Sequence, residues 1–249
     1  MRVQIREKVY ICGDFLYISA FPVFAPSGNQ RKRRFKPTSE TQKLLNDRYA
    51  IKYLEMLLET NFDDNDYHVR LSYSDRNNPL SDEIAGKNIA NFIRRLKYKC
   101  GKNGINAPVA VWCTEKGKKN GRYHHHMIIK CALPRDEIER IWGKGYANSK
   151  RLQFTEDGLT GLANYLSKKP IGAHRWHSTR NLKKPQVREN DNMSKKQFEA
   201  LFDSNATCDM YSARYVGYIV SKVNPIYNEI TGNKYLSFKM YRADSKSVS

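Results

Sequence analysis

Three consecutive imidazoles stand at His124-His125-His126, half of the six histidines in the 249-residue chain. They lead into Met127-Ile128-Ile129, and Tyr123–Lys130 reads as a strand. Side chains alternate along a strand, so His124 and His126 share one face and His125 points to the other. Two imidazoles on one face form a clamp for a divalent metal ion. A hard ion also takes oxygen, and Glu115, closing the preceding strand of the same hairpin, is the best-placed carboxylate. The expected metal set is His124, His126 and Glu115, with Mg2+ or Mn2+ as cofactor. No cysteine is expected near these ligands, which weighs against zinc. The plainer reading is a chance cluster of histidines at the end of a surface strand.

A second group is Tyr165-Leu166-Ser167-Lys168-Lys169. On a helix both lysines lie one turn from the tyrosine. A phenol titrates near pKa ~10 and is a weak nucleophile at neutral pH, but a neighbouring ammonium favours the phenolate and offsets charge on a phosphate. Tyr165 and Lys168 are therefore the catalytic candidates; the alternative is a half-buried core tyrosine beside a basic pair. A third group mixes cations with an aromatic ring: Lys169, Arg175, Trp176, Arg180, Lys183 and Lys184 are the candidate DNA contacts, able to hold phosphates and stack a base. Such a run also suits an ordinary basic loop. His174 and His177 have a loose metal spacing and are read as DNA-contacting or incidental.

These side chains need a scaffold. Val9–Ile11 and Phe15–Ile18, with Gly13-Asp14 between them, form a hairpin signal. Ser39-x-x-Gln42 has capping-box form, and the leucines after it recur at helical spacing to about residue 60. His68–Tyr73 reads as a strand, and Ser81 can cap a helix carrying Ile84, Ile89, Phe92, Ile93 and Leu96. Pro108–Thr114 and Tyr123–Lys130 are two strands joined by a basic turn. Helices follow at 134–142 and at 158–168, the latter stopped by Pro170. Residues 171–207 show weak periodicity, and 208–242 return to strand formers. This order predicts an α+β fold with helices on a mainly antiparallel sheet. Three segments are expected: 1–37, a hairpin with the basic arm Arg31–Arg34; 38–185, the core with a leading helix; and 186–249, an extension with strands.

The formal net charge is +19, from 44 Lys+Arg against 25 Asp+Glu, and a charge of that sign favours a polyanion. Hydrophobic residues make up 40%, enough for a packed core. No apolar run reaches membrane-spanning length, so no membrane partner is expected. The five scattered cysteines include no C-x-x-C pair, and with no secretory signal at the start they imply a reducing cytoplasm.

Taken together, Val69-Arg70-Leu71-Ser72-Tyr73, His124-His125-His126 and Tyr165-Leu166-Ser167-Lys168 resemble, in order, the three motifs of the HUH endonuclease superfamily. More narrowly they resemble the rolling-circle replication initiators of plasmids, phages and other mobile elements. The family carries an apolar residue where His125 stands. The resemblance implies a ferredoxin-like nuclease domain with the histidine strand at its centre, to which N- and C-terminal β extensions are added here. It implies single-strand DNA nicking and joining: Tyr165 attacks, a 5′-phosphotyrosine forms, and the free 3′-OH primes replication in a bacterial cytoplasm. The implied partners are origin single-stranded DNA, a host helicase and a host polymerase. Alternatives are an HUH relaxase, an HUH transposase, or a non-catalytic DNA-binding protein. A rival tyrosine stretch lies at Tyr211–Lys222, read as a strand. If the charge serves DNA, affinity for single strands falls with salt at a log–log slope of about −0.7 per phosphate neutralised; a salt-independent affinity in a titration from low to high salt would contradict it.

Overall fold

The computed structural model describes residues 4–24, 39–117, 121–168, 175–203, 208–228 and 232–245, with side chains in the first helix from residue 46 on. The basic run Arg31–Arg34, the box at Ser39–Gln42, Lys169, Pro170 and His174 fall outside the described residues or side chains. The elements in chain order are β1 (Gln4–Cys12), β2 (Phe15–Val23), α1 (Ser39–Asn61), β3 (Tyr67–Ser72), α2 (Asp82–Lys102), β4 (Val109–Lys116), β5 (Tyr123–Lys130), α3 (Arg135–Trp142), β6 (Ala147–Arg151), α4 (Thr160–Ser167), β7 (His177–Ser178), β8 (Gln186–Met193), α5 (Lys195–Phe202), α6 (Cys208–Arg214), β9 (Tyr218–Asn228) and β10 (Asn233–Arg242). The architecture is α+β with two antiparallel five-stranded sheets, consistent with a ferredoxin-like fold. Two compact units hold one sheet each: residues 1–60, 155–158 and 184–249, and residues 61–154 and 159–183.

In the second unit the strand order is β6-β3-β5-β4-β7, so the histidine strand β5 is central. One sheet face is apolar, with Val69, Leu71, Ala110, Met127 and Ile129. It is covered by Ile89, Phe92 and Leu96 of α2 and by Ile138 and Trp142 of α3, all at most 2% exposed. Helix α2 starts where sequence placed it: the Ser81 hydroxyl accepts from the Ile84 N–H at 3.3 Å. Asp82 and Glu83 in its first turn, and Lys99 and Lys102 in its last, complement the helix dipole. Strand β6 escapes sequence reading. Its Ala-Asn-Ser-Lys-Arg has no apolar alternation, because it is an edge strand held by its ladder to β3.

In the first unit the order is β8-β1-β2-β10-β9. The N-terminal hairpin and the C-terminal strands thus share one sheet, with β2 paired to β10 and β1 to β8. Phe198 and Leu201 of α5 and Tyr211 of α6 pack on Ile18, Phe238 and Met240. The stretch read as a strand at Tyr211–Lys222 is helix to Arg214 and strand only from Tyr218. A capping box, Ser194 with Gln197, starts α5 within the region read as weakly periodic.

Lys239 of β10 is buried. Its ammonium donates to Glu55 Oε1 at 2.6 Å, Glu59 Oε1 at 2.8 Å and the Asp157 carbonyl at 2.6 Å. The Tyr17 hydroxyl donates to Glu59 Oε2 at 2.7 Å. Burial pushes the Glu59 carboxyl up to about 7; Lys239 opposes this and the Glu55 charge adds to it. A carboxyl whose folded pKa is raised contributes stability at pH below its unfolded value, lost as pH rises toward the folded one. The wild-type advantage over Glu59→Gln should therefore shrink between pH 5 and 8 in paired thermal melts; a constant offset would rule this out. Gly158 has φ +61°, and an added Cβ would overlap the Glu59 carboxylate. Gly158→Ala should lower stability by about 3 kcal/mol or more, from left-handed strain and a displaced buried ion pair, read by denaturant unfolding.

Candidate active site

The register of β5 with its neighbours decides which side chains share a face. His124 lies opposite Glu115 of β4 and Ser72 of β3. His126 lies opposite Cys113 and Arg70. His124, His126, Glu115, Cys113 and Arg70 therefore stand on the sheet face away from α2 and α3. His125, Thr114 and Leu71 point to the helix-covered face.

His125 is fully buried and held at both ring nitrogens, by the Tyr73 hydroxyl on Nε2 at 2.7 Å and the Thr114 hydroxyl on Nδ1 at 2.9 Å. Its ring meets Trp142 edge-on at 5.6 Å. Burial, with the two flanking histidines, lowers it to about 3, so it stays neutral. The unusual histidine in the motif is thus a core side chain whose polar atoms are satisfied, with no nitrogen left for a ligand.

On the opposite face, His126 Nε2 lies 3.2 Å from the Tyr165 hydroxyl and 3.8 Å from Glu115 Oε2. The Tyr165 ring stands perpendicular to that of His126 with centroids 4.9 Å apart. Helix α4 makes this possible: Ala163 and Leu166 are buried, and Tyr165 remains 42% exposed on the same short helix. Burial, with His68, Arg70 and His124 nearby, lowers His126 to about 4. Burial and the cations Arg70 and Arg122 also lower His124. Both imidazoles are neutral at pH 7, the form that binds metal.

The face suits a hard divalent ion by its donors: two neutral imidazoles and a carboxylate. His124 Nδ1 and His126 Nδ1 are buried without a hydrogen-bond partner among the described residues. Among the described residues, no three His, Cys, Asp or Glu side chains converge into a ready-made cage. An ion here would have to complete its shell with water and phosphate oxygens, which is usual for magnesium. Cys113 does stand beside His126, against the expectation of no cysteine near the clamp. Burial pushes its thiol up to about 12, so it offers a thiol where zinc takes thiolate.

Sequence reasoning missed two members of this face. His68 stacks on His126 at 5.7 Å, with its Nε2 buried and unpaired. Arg70 is the other: burial and Glu115 push the Tyr165 phenol up, while Arg70 pulls it down. The cation expected to ease ionisation was Lys168. That residue caps α4, its N–H donating to the Tyr165 carbonyl at 3.2 Å, and its side chain is exposed. The signal for Arg70 was present, since the x of hydrophobic-x-Leu-Ser-Tyr alternates onto the histidine face.

The rival tyrosines have structural partners. The Tyr215 hydroxyl donates to Glu7 Oε1 at 2.7 Å, beside the two-pronged Arg214–Glu7 contact at 2.8 and 2.7 Å. Burial pushes Glu7 up, but the bonds from Arg214, Tyr215 and Asn190 outweigh it and leave the carboxyl low. Of the expected DNA contacts, Arg175 and Trp176 are half-buried, and Arg180, Lys183 and Lys184 are exposed. Just ahead of Arg180, His177 and Ser178 pair with Trp112 and Val111 at the β4 edge. The Thr179 N–H donates to the Ala110 carbonyl at 2.9 Å.

Among the described residues no helix is long and apolar enough to cross a membrane. No curated protein and no solved structure matches the chain. Residues 66–170 match the model of a replication-associated protein family of the ORF2 type. The matched span runs from β3 through α4 and contains every side chain of the histidine–tyrosine face. This segment is similar to that family, and the match supports a Rep-like initiator of rolling-circle replication.

Proposed function

We propose that the chain nicks and rejoins single-stranded DNA at a replication origin through a tyrosine–DNA intermediate, with a bound Mg2+ or Mn2+. The observation that carries this reading is the Tyr165 hydroxyl 3.2 Å from His126 Nε2, on the face that also bears His124 and Glu115. Tyr165 Oη attacks the scissile phosphorus, and its proton passes through solvent to the departing 3′ oxygen. The P–O3′ bond breaks, leaving a 5′-phosphotyrosine and a free 3′-OH. The reverse attack by a 3′-OH rejoins a strand and frees the tyrosine. His124, His126 and Glu115 would hold the ion, which supplies Lewis-acid polarisation of the phosphate when bound. Arg70 offsets charge on the same face, and exposed Lys168 is free to meet a phosphate from the helix end. The half-exposed phenol suits a nucleophile that must reach a polymer in solution. Host helicase and polymerase would act on the exposed 3′ end.

A labelled single-stranded oligonucleotide tests the nucleophile. Tyr165→Phe keeps the ring and removes the hydroxyl, so covalent adduct should vanish, while Tyr215→Phe and Tyr218→Phe retain it. Adduct persisting in Tyr165→Phe and lost in Tyr218→Phe would move the active tyrosine to the C-terminal segment. His124→Ala and His126→Ala should each cut metal-dependent cleavage by more than about 100-fold, the scale of losing one contact to a developing charge. Full activity of His126→Ala in excess chelator would remove the metal assignment. His125→Ala acts differently: it strands the buried Tyr73 and Thr114 hydroxyls, at about 1–3 kcal/mol each. Its melting temperature should drop, while the folded fraction still cleaves.

A further inference from the structure

A cleft of about 360 Å³ lies in the second unit, beside α2 and the outer edge of β4. Ile93 and Lys97 of α2 line it together with Pro108, Trp112 of β4, Ser178 of β7 and Arg180. Trp112 alternates with Cys113 on β4, so it points to the sheet face away from the Cys113–His126 pair and packs partly against the α2-covered core. The cleft is therefore separate from the tyrosine face.

We propose that this cleft holds one unstacked nucleotide of single-stranded DNA, from a stretch outside the cleaved step. The inference rests on the DNA-nicking reading for the identity of the polymer, and on the cleft itself for the site. Three observations select a nucleotide. The volume is in the range of small-ligand pockets, which starts near ~300 Å³. The lining includes an aromatic ring: the indole of Trp112, already stacked with the His177 ring, centroids 5.8 Å apart and tilted 21°. A base extends such a stack without regard to its sequence. The rim is cationic, since Lys97 and Arg180 are both exposed and neither has an ion-pair partner among the described residues. An aromatic ring lining the same cleft as two cations without ion-pair partners among the described residues matches a base with its neighbouring phosphates. An apolar peptide would leave both charges unanswered, and an acidic peptide would not use the indole.

The segment that carries Arg180 is also fixed in advance. The Ala110 N–H donates to Thr179 Oγ1 at 3.0 Å, the Asn181 amide donates to the Pro108 carbonyl at 3.2 Å, and the Lys183 N–H donates to Asn61 Oδ1 at 2.8 Å. These bonds strap the backbone on both sides of Arg180, so less ordering accompanies binding.

The test uses the full chain carrying Tyr165→Phe, so that strand cleavage plays no part, and oligothymidylate of about twenty nucleotides, several site sizes long, with single 5-iodouracil substitutions. Irradiation followed by peptide mapping should place an adduct on Trp112 or His177. Retained DNA with adducts only elsewhere would overturn the cleft and leave the nicking reading standing. No DNA binding at low salt would overturn both. As a second measure, Lys97→Glu should weaken binding about ten-fold more than Lys196→Glu, an identical charge change at an exposed position of the other unit. Equal losses would show a diffuse electrostatic effect and overturn a local site.

Discussion

The central position of β5 governs the second unit. A strand with neighbours on both sides must satisfy two faces at once, and its side chains can only alternate between them. His125 falls on the face covered by α2 and α3, where a polar ring is costly unless both nitrogens are bonded. Tyr73 from the end of β3 and Thr114 from β4 meet that requirement. Their bonds fix the register from both sides, and a slip of one residue would put two imidazoles into the apolar core. The placement of His124 and His126 beside Glu115 is thus a consequence of what His125 needs. The three-histidine motif carries both the anchor and the candidate site.

Burial also sets the chemistry of that face. Taking His126 out of water holds it neutral, which readies it for a cation. The same environment raises the phenol of Tyr165, which has to become an anion to attack. On the reading proposed above, both demands would be met by positive charge at one place: an ion held by the imidazoles and Arg70 on the neighbouring strand. Lys168, one helical turn away and exposed, is placed for the polymer more than for the phenol.

Legibility followed burial. Strand β5 was read with its observed bounds, and the hairpin at Gly13-Asp14, the Ser81 cap and the apolar stripe of α2 were all visible, because each has a buried face that forces a period on the sequence. The same alternation told His124 and His126 from His125. What escaped lies at edges. Strand β8 is mostly exposed and β6 only partly buried, and both are held by backbone bonds to β1 and β3, so their sequences are free of pattern. Sequence could not pair the N-terminal hairpin with strands more than 160 residues away. Helix α5 is eight residues long, and its one clear signal, the Ser194–Gln197 box, stands within an otherwise polar run. At the site, Arg70 was missed because attention went to cations near Tyr165 in sequence, while the sheet brings one from ninety-five positions earlier.

The chain's +19 charge is made up of cations answered by carboxylates within the fold and cations that are not. In the first unit buried Lys239 is answered by Glu55 and Glu59, and half-buried Arg214 by Glu7. Such pairs hold elements together, and each cation loses its long-range field to its partner. In the second unit Arg70, Lys97, Lys168 and Arg180 lack an ion-pair partner among the described residues and are exposed. Unanswered cations on one domain repel one another and cost stability. Pairing them within the fold would have been simple, since the chain has 25 carboxylates to place. If single-stranded DNA binds as proposed, its phosphodiesters would supply counter-charge to these four cations from outside, on the domain that carries the tyrosine.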